Sequence, residues 1–209
     1  MEALNPIPVL HRDAHILVVR KPGGLLTIPG RTPDKSDCLW TRLRNQLPGE
    51  DVRLVHRLDR DTAGLMLFAL SKPAQAALGR QFERREVQKR YFATVTGQLN
   101  PPTGVIRAPL RKDWTRNDPP VYVVDPEKGK SAETHWETVS RTETETGVVL
   151  KPVTGRSHQL RVHMAHLGHP IVGDPIYGTP DPARGLQLTA VFLAFTHPGT
   201  GEQVQFTLT

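Results

Sequence analysis

The chain has 209 residues, 37% of them hydrophobic and 23% charged, a composition typical of one ordinary globular domain. No stretch approaches the roughly 18 consecutive apolar residues of a membrane-spanning helix, and the single cysteine, Cys38, excludes an intrachain disulfide and a cysteine-based zinc site. The net charge of +6 favours a polyanionic partner, most often nucleic acid, although a solvated basic surface would give the same charge.

The first half of the chain contains both predicted strands and predicted helices. Residues 15–30 predict a strand, a Pro-Gly-Gly turn and a second short strand. The apolar spacing over 39–47 predicts a helix that ends at a Pro-Gly pair. The apolar run 64–70 predicts a buried strand, a helix follows from Pro73, and the alternation over 89–97 predicts another strand.

The segment 98–130 contains several prolines and glycines and shows no helical pattern. We therefore expect loops around short strands there, with RKDWTRNDPP at 111–120 as an exposed excursion. Residues 132–140 and 146–155 predict two neighbouring strands.

The last part of the chain predicts one helix and two strands. Leu160, Met164 and Leu167 are spaced as one face of a helix, and Gly168 is placed to end it. The closing segments AVFLAFTHP and QVQFTLT predict strands. About ten short strands and three helices then indicate the α+β class, with a mixed, largely antiparallel central sheet flanked by helices and loops.

Three segments carry most of the residues suited to chemistry: HRLDRDTAG at 56–64, KRYFATVTG at 89–97, and KPVTGRSHQLRVHMAHLGHPIVGDPIYG at 151–178. In order and spacing they resemble the three motifs of the RluA-type pseudouridine synthases. VVRKPGGLLTIPGR near the start and THPGTGEQVQFT near the end also resemble that family. The compact layout is closest to the RluA subgroup, whose members modify both ribosomal RNA and tRNA.

The resemblance implies a single pseudouridine synthase catalytic domain over residues 1–209, without an N-terminal S4-type domain. It also implies that a uridine already in RNA is isomerised: the N1–C1′ glycosidic bond breaks, the uracil turns, and a C5–C1′ bond forms. This reaction calls for no redox cofactor, ATP or metal. The target uridine has to be flipped out of its stack, because its reacting atoms are otherwise shielded.

Three residues match the catalytic positions of the family. Asp59, in HRLD, matches the catalytic carboxylate, which acts as a nucleophile or as a base at the ribose; the sequence leaves both roles open. Tyr91 matches the tyrosine that stacks on the target base and takes up the C5 proton. Arg161, in HQLRVH, matches the arginine that pairs with the catalytic aspartate, since a guanidinium fork can hold a carboxylate oriented and ionised.

Each of these three residues also has a structural interpretation. Asp59 could cap a turn, and Tyr91 could be an ordinary buried aromatic of a strand. Arg161 could lie on the polar face of its helix and bind water. Asp61 shares the loop with Asp59 but is expected to form a turn or a salt bridge.

The resemblance also implies contacts with RNA. Arg57 matches the arginine that enters the RNA and fills the space of the flipped base, with a generic phosphate contact or a surface salt bridge as the alternative. The other predicted RNA-binding residues are His56, Arg60, Arg156, His158 and Trp114. The expected partner is a structured ribosomal RNA loop, the tRNA anticodon stem-loop, or both, with no membrane and no obligate protein partner. The N terminus has no signal-peptide pattern, so the expected location is the cytoplasm.

Two other functions are compatible with the sequence. The first is a catalytically inactive RNA-binding protein on the same scaffold, against which the intact catalytic set argues. The second is a metal hydrolase built on His163, His166 and His169, which recur at a spacing of three. No acidic residue is placed for a familiar zinc pattern, so no metal site is expected.

Overall fold

The computed structural model describes residues 5–30, 32–117 and 119–208. The chain divides into two compact units. The first unit is Met1–Gln88 with Ala190–Thr209, and the second unit is Lys89–Thr189. The predicted single domain over the whole chain stays a prediction.

Within the described residues, the structure contains three α-helices and twelve strands. The helices are α1 (Leu39–Gln46), α2 (Lys72–Glu83) and α3 (Gln159–His166). The strands are β1 (Val9–Arg12), β2 (Ile16–Lys21), β3 (Arg53–Leu54), β4 (Ala63–Ala69), β5 (Gln88–Thr96), β6 (Thr103–Arg107), β7 (Leu110–Asn117), β8 (Pro120–Val124), β9 (Glu133–Arg141), β10 (Glu145–Pro152), β11 (Leu188–Thr196) and β12 (Gln203–Thr207).

The first unit contains a sheet with the strand order β1-β2-β4-β11-β12, and β3 also pairs with β4. The pairs β1/β2, β2/β4, β3/β4 and β11/β12 are antiparallel. Helix α2 begins after Ser71, whose hydroxyl accepts a hydrogen bond from the Ala74 amide as an N-cap. Leu78 of α2 lies in the same buried cluster as Leu67 and Phe195 of the sheet, so the helix covers one sheet face.

Gly64 is the second residue of β4, which follows the charged loop of residues 55–62. Its φ is +113°, a conformation that residues with a side chain rarely adopt. A Cβ at this position would also collide with the backbone of Ala190 in β11. A glycine is therefore needed where the chain passes from the charged loop into the buried strand.

The second unit contains an antiparallel sheet with the order β5-β10-β9-β6 and a separate antiparallel hairpin, β7-β8. Val148 and Leu150 of β10 share the main core of this unit with Leu160 and Met164 of α3. Two of the three residues predicted for the buried face of α3 are therefore in the core. Leu167, the third, is the C-cap residue and is 38% exposed.

The segment 111–120 is exposed at Trp114–Arg116 as predicted, but the predicted loop is wrong, because most of the segment forms strand β7 and pairs with β8. The strand escaped prediction because its side chains are largely polar. A small apolar cluster, with Leu110 and Tyr122 from the hairpin and Val162 from α3, packs it against the unit. A strand with so few apolar residues has no clear alternation in its sequence.

The predicted α+β class with largely antiparallel strands is confirmed, and an isolated parallel bridge joins Leu26 and Cys38. Twelve strands replace the approximate ten expected: β1 and β3 were not predicted, and the second short strand predicted within 15–30 is reduced to the bridge at Leu26. In the part of the chain that the structure describes, no helix combines the length and apolar character needed to cross a membrane.

Candidate active site

Residues 55–62, called the charged loop here, connect β3 to β4 in the first unit and carry Asp59. Thr27 anchors the residue before Asp59. Its hydroxyl donates to the Leu58 carbonyl at 2.7 Å and accepts from the Leu58 amide at 3.3 Å. The Leu58 side chain is itself buried. These contacts fix the backbone on the N-terminal side of Asp59.

Lys21, the last residue of β2, anchors the other side of Asp59. Its side chain is 0% exposed, and its ammonium donates to the carbonyls of Arg60 at 2.7 Å and Pro22 at 2.8 Å. Asp59 therefore stands between two anchored neighbours, with its own side chain half-buried. Fixing the backbone on both sides restricts the directions in which the carboxylate can be presented to a substrate.

Lys21 also places a buried charge near the charged loop. Burial lowers the pKa of Lys21 to about 8, although the charges of Asp61 and Asp59 act in the opposite direction and raise it. The amine is therefore still mostly protonated at pH 7. A buried positive charge thus faces the carboxylates of the loop.

The other predicted residues of the charged loop have different surroundings. Nε2 of His56 accepts a hydrogen bond from a β4 amide at 3.0 Å, and the ring stacks on Phe82 of α2 at 4.8 Å. These contacts attach the loop to its own unit. Arg60 forms a salt bridge with Asp61, and Arg57 is exposed. Contacts of His56, Arg57 and Arg60 with RNA stay predictions.

Lys21 and Thr27 were not among the predicted site residues. Both stand in the segment VVRKPGGLLTIPGR, whose resemblance to the family gave them no role. A lysine at the end of an apolar strand is a weak signal, since lysines are almost never fully buried without partners. Their backbone partners lie 39 and 31 residues away, and no local pattern reveals such distant contacts.

In the second unit, Arg161 of α3 is buried and forms a bidentate salt bridge with Asp174. Its Nε and one terminal nitrogen each lie 2.7 Å from a carboxylate oxygen. Asp174 also accepts hydrogen bonds from the amides of Ile176 and Tyr177. Burial alone would raise the pKa of Asp174, but the hydrogen bonds and charge of Arg161, together with the two amide bonds, hold that pKa below its usual value. Both partners are therefore ionised at neutral pH.

This geometry excludes the interpretation of Arg161 as a solvated residue on a polar helix face, because α3 is buried continuously from Gln159 to Met164. Asp174 was not predicted. It is 0% exposed, and an aspartate is almost never fully buried unless it is paired, but the sequence does not show its burial. The predicted pairing of Arg161 with Asp59 stays a prediction.

Tyr91 lies on β5, opposite Leu150 of β10. It is half-buried and packs against the main core of the second unit. A half-buried tyrosine keeps part of its ring in the core while the rest stays accessible. The position is therefore compatible with stacking on a base, and that role stays a prediction.

A cleft of about 830 Å³ lies between the β7-β8 hairpin and the residues that precede α3. Its basic lining residues are Arg111, Lys112, Lys128, Lys130 and Arg156. Trp114, 71% exposed, also lines this basic cleft, with the Lys112 ammonium 4.6 Å from its ring centroid. Arg156 donates from Nε to the Ser131 carbonyl at 3.0 Å. Two predicted RNA-binding residues, Trp114 and Arg156, thus share one basic surface.

His163, the first histidine of the cluster, is bonded to other residues of the protein through both ring nitrogens. The two ring nitrogens of His163 lie 2.9 Å from the Thr134 hydroxyl and 3.0 Å from the Ala108 carbonyl. The side chain is fully buried, and burial lowers its pKa, so the ring is neutral at pH 7. Among the described residues, no three His, Cys, Asp or Glu side chains are placed to hold a metal ion. His163 is a structural residue, and the metal hydrolase interpretation loses its basis.

The family model for RNA pseudouridylate synthase matches residues 15–166, well over half of the chain. The chain belongs to the RNA pseudouridylate synthase family. The match includes the charged loop, β5 and all of α3, so the predicted catalytic positions of the family fall inside it.

Relatives in this family are similar over nearly their whole length. The dual-specificity RNA pseudouridine synthase RluA of Yersinia pestis is 46% identical over 202 residues, 95% of this chain and 96% of the relative. The protein of the same name from Escherichia coli K12 is 44% identical, with 99% of this chain and 96% of the relative aligned. The solved structure of human RNA pseudouridylate synthase domain containing 1 has a TM-score of 0.82 and 29% identity, covering 100% of this chain and 86% of that one. The predicted family and the predicted enzyme class, an RNA pseudouridine synthase, are confirmed.

Proposed function

We propose that this pseudouridine synthase modifies a uridine in a large-subunit ribosomal RNA loop, in the tRNA anticodon stem-loop, or in both, with Asp59 as its catalytic carboxylate. The anchoring of the charged loop carries this proposal. Thr27 and Lys21 fix the backbone on either side of Asp59. A simple solvated turn needs no such pair of buried anchors. The name of the RluA relatives, dual-specificity RNA pseudouridine synthase, supports two kinds of RNA target.

In the proposed reaction, Asp59 acts at the ribose of the flipped uridine while the N1–C1′ bond breaks. It attacks as a nucleophile or removes a proton as a base, and both roles require an ionised carboxylate. The uracil then turns, C5 bonds to C1′, and the C5 proton leaves. Tyr91 is proposed to stack on the base and to take up that proton. The product is an isomer of the substrate, so nothing is consumed.

Arg161 is proposed to hold the Asp59 carboxylate in its reactive orientation. Two of its nitrogens are bonded to Asp174, which fixes the plane of the guanidinium before RNA binds. A charged group that is already oriented needs little reorganisation when charge moves in the reaction. The buried salt bridge therefore supports a positioning task better than the interpretation of Arg161 as a surface cation.

The RNA contacts are proposed at the basic cleft and at Arg57. The basic lining of the cleft suits phosphates, and the exposed ring of Trp114 suits an unpaired base. Arg57 is exposed, as a residue that enters the RNA has to be. Arg60 and His158 are proposed as secondary contacts. His56 is proposed as a further contact, and its ring also holds the charged loop to β4 and α2.

Pseudouridine mapping of total RNA from a deletion strain and its parent tests this proposal. We expect uridines in the two proposed RNAs to lose the modification in the deletion strain. The wild-type gene should restore it, and a gene encoding Asp59→Asn should not. Restoration by Asp59→Asn would remove the catalytic role from Asp59. An unchanged map would favour an inactive RNA-binding protein on the same scaffold. The proposal also places the protein in the cytoplasm, where both RNAs are used.

A further inference from the structure

Tyr177 connects Arg161 to two other parts of the second unit. Its ring centroid lies 5.2 Å from the Arg161 guanidinium carbon, within the range of a cation–π contact. Its hydroxyl accepts a hydrogen bond from the Tyr122 amide at 2.9 Å. The same hydroxyl lies 2.8 Å from Nδ1 of His158. The Tyr177 ring therefore contacts Arg161, and the Tyr177 hydroxyl contacts the Tyr122 amide and the His158 ring.

The amide that binds Tyr177 belongs to the hairpin that lines the basic cleft. Tyr122 is on β8, and β8 pairs with β7, which carries Trp114. The hairpin is also attached through the small apolar cluster around Leu110 and Val162 and through backbone bonds between Leu110 and Lys130. The bond from the Tyr122 amide to the Tyr177 hydroxyl is the contact that leads from the hairpin to the side chain beside Arg161.

His158 provides a second connection, between the two tyrosines and the start of α3. It directly precedes α3 and has a left-handed backbone, with φ 55° and ψ 15°, which is uncommon for a residue with a side chain. Such a conformation is kept only where surrounding contacts hold it. The ring of His158 contacts Tyr177 through Nδ1 and lies 5.2 Å from the ring of Tyr122. The start of the helix that carries Arg161 is therefore held by the same pair of tyrosines.

We propose that Tyr177 is a positioning residue that couples RNA binding on the β7-β8 hairpin to the orientation of Arg161. RNA that binds Trp114 and the basic cleft restricts the motion of the hairpin. Because the Tyr177 hydroxyl is bonded to the hairpin and to His158, this binding also restricts the start of α3 and the orientation of Arg161. This coupling depends on the proposed function, in which the cleft binds RNA and Arg161 orients Asp59. Beyond the proposed function, it implies that RNA binding at the basic cleft affects the rate of the chemical step through Tyr177.

The first test is Tyr177→Phe, which keeps the ring beside Arg161 and removes only the hydroxyl. The probe is a transcript of the tRNA anticodon stem-loop or of the ribosomal RNA loop, whichever the wild-type protein converts, labelled with tritium at uridine C5. Tritium release is measured in a single turnover at saturating protein. We expect the rate to fall about tenfold, because small misplacements of a positioned group cost rates of this order or more.

A matched control separates this effect from a general loss of stability. Thr146 is buried, and its hydroxyl, like that of Tyr177, makes two internal bonds: it donates to the Gly97 carbonyl at 2.7 Å and accepts from the Leu99 amide at 3.3 Å. Thr146→Val should lower the melting temperature about as much as Tyr177→Phe, since each loses two hydrogen bonds. The Thr146→Val protein should keep the wild-type single-turnover rate.

The second test is a double-mutant cycle between the hairpin and the tyrosine. In the wild-type background, Trp114→Ala should reduce both RNA affinity and the single-turnover rate at saturation. In the Tyr177→Phe background it should reduce affinity alone, because the connection is already broken, so the two rate losses are not additive. His158→Gly provides a second way to break the link, since glycine tolerates the left-handed backbone. It should abolish the rate effect of Trp114→Ala in the same way.

Additive rate losses in both cycles would overturn the coupling. So would a Tyr177→Phe rate equal to that of Thr146→Val. Failure of the proposed function has a different signature, because the wild-type protein itself would then release no tritium from either transcript.

Discussion

The two regions that carry the predicted catalytic residues hold them in opposite ways. In the charged loop of the first unit, the side chains of Thr27 and Lys21 bind the backbone on either side of Asp59. The Asp59 side chain is half-buried. In the second unit, the side chain of Arg161 is itself held, because Asp174 binds its guanidinium in a fully buried salt bridge. Asp59 is positioned through its backbone, whereas Arg161 is held through its guanidinium group.

This difference follows from what each group has to do in the proposed reaction. Asp59 acts at the ribose while bonds there break and form, so its carboxylate has to be presented to the substrate in a fixed direction. Arg161 only has to keep its charge and its orientation, so two of its nitrogens can be bonded to Asp174 throughout. The first three predictions below each alter one of these two kinds of anchor.

The largest effect on stability is expected for Asp174→Asn, which leaves the charge of Arg161 buried without its partner. Breaking a buried ion pair from one side typically costs about 3–5 kcal/mol in the free energy of unfolding. Urea unfolding at pH 7 measures this loss.

Asp181→Asn is a matched control for Asp174→Asn. Both aspartates accept side-chain hydrogen bonds from the amides two and three residues ahead, but Asp181 is only half-buried. We expect a cost of about 1 kcal/mol for the control, the usual contribution of such bonds. Equal losses in the two variants would show that the turn, and not the salt bridge with Arg161, accounts for the effect.

The next largest effect concerns Lys21 and depends on pH. Its folded pKa of about 8 lies below the ordinary value of 10.5, so between these values the unfolded chain binds more protons. Stability contributed by this group therefore rises with pH in that window. Relative to Lys21→Met, the wild type should gain up to about 2 kcal/mol of unfolding free energy between pH 7.5 and pH 9.5.

The control for the Lys21 prediction is Lys151→Met. Lys151 is exposed and pairs with Glu137 at the surface. The stability difference between this variant and the wild type should not change over the same pH range. If the difference for Lys21→Met is equally flat, Lys21 is not a buried charge that titrates near pH 8.

A smaller effect is expected for Thr27→Val, which removes the hydroxyl that binds both backbone groups of Leu58. The cost should be about 1–2 kcal/mol of stability, and the turnover should fall because Asp59 is then anchored on one side only. Thr27→Ser keeps the hydroxyl and should retain most of both properties. Loss of turnover in Thr27→Ser as large as in Thr27→Val would show that the methyl group, and not the anchor, is what matters.

Much of the fold could be predicted from the sequence because its apolar patterns are strong. The run at 64–70 and the helical spacing at 160–167 gave the positions of β4 and α3 within a few residues. Strand β7 was missed because its sequence is polar and its few apolar contacts come from α3 and β8. Local periodicity reports burial, and β7 is scarcely buried.

The site was predictable where motifs are contiguous and unpredictable where contacts are distant. Asp59 and Arg161 stood in segments that resemble known motifs, so both were found. The residues that anchor them, Lys21, Thr27 and Asp174, were not found, because their contacts form only when the chain folds. Lys21 and Thr27 bind backbone groups 39 and 31 residues away. Asp174 stands in the third motif, but its burial and its bond to Arg161 depend on how the chain folds back after α3.

The smallest effect on stability is expected for Arg57→Ala, because its side chain is exposed. The free energy of unfolding should change by less than about 0.5 kcal/mol. Single-turnover conversion should nevertheless slow, and more on a structured stem-loop than on a short unstructured RNA, because only the stem-loop has to be opened to flip the base. Equal slowing on both RNAs would assign Arg57 to an ordinary phosphate contact.

The most direct test compares Asp59→Asn with Asp61→Asn in tritium release from RNA labelled at uridine C5. The two aspartates are two residues apart in the same charged loop, and both act on the pKa of Lys21. Asp61 is engaged with Arg60 in a salt bridge, and only Asp59 stands between the two backbone anchors. We predict that Asp59→Asn abolishes release while RNA affinity stays within about tenfold, roughly 1.4 kcal/mol, and that Asp61→Asn remains active. Release at a near wild-type rate by Asp59→Asn, or its abolition by Asp61→Asn alone, would contradict the account.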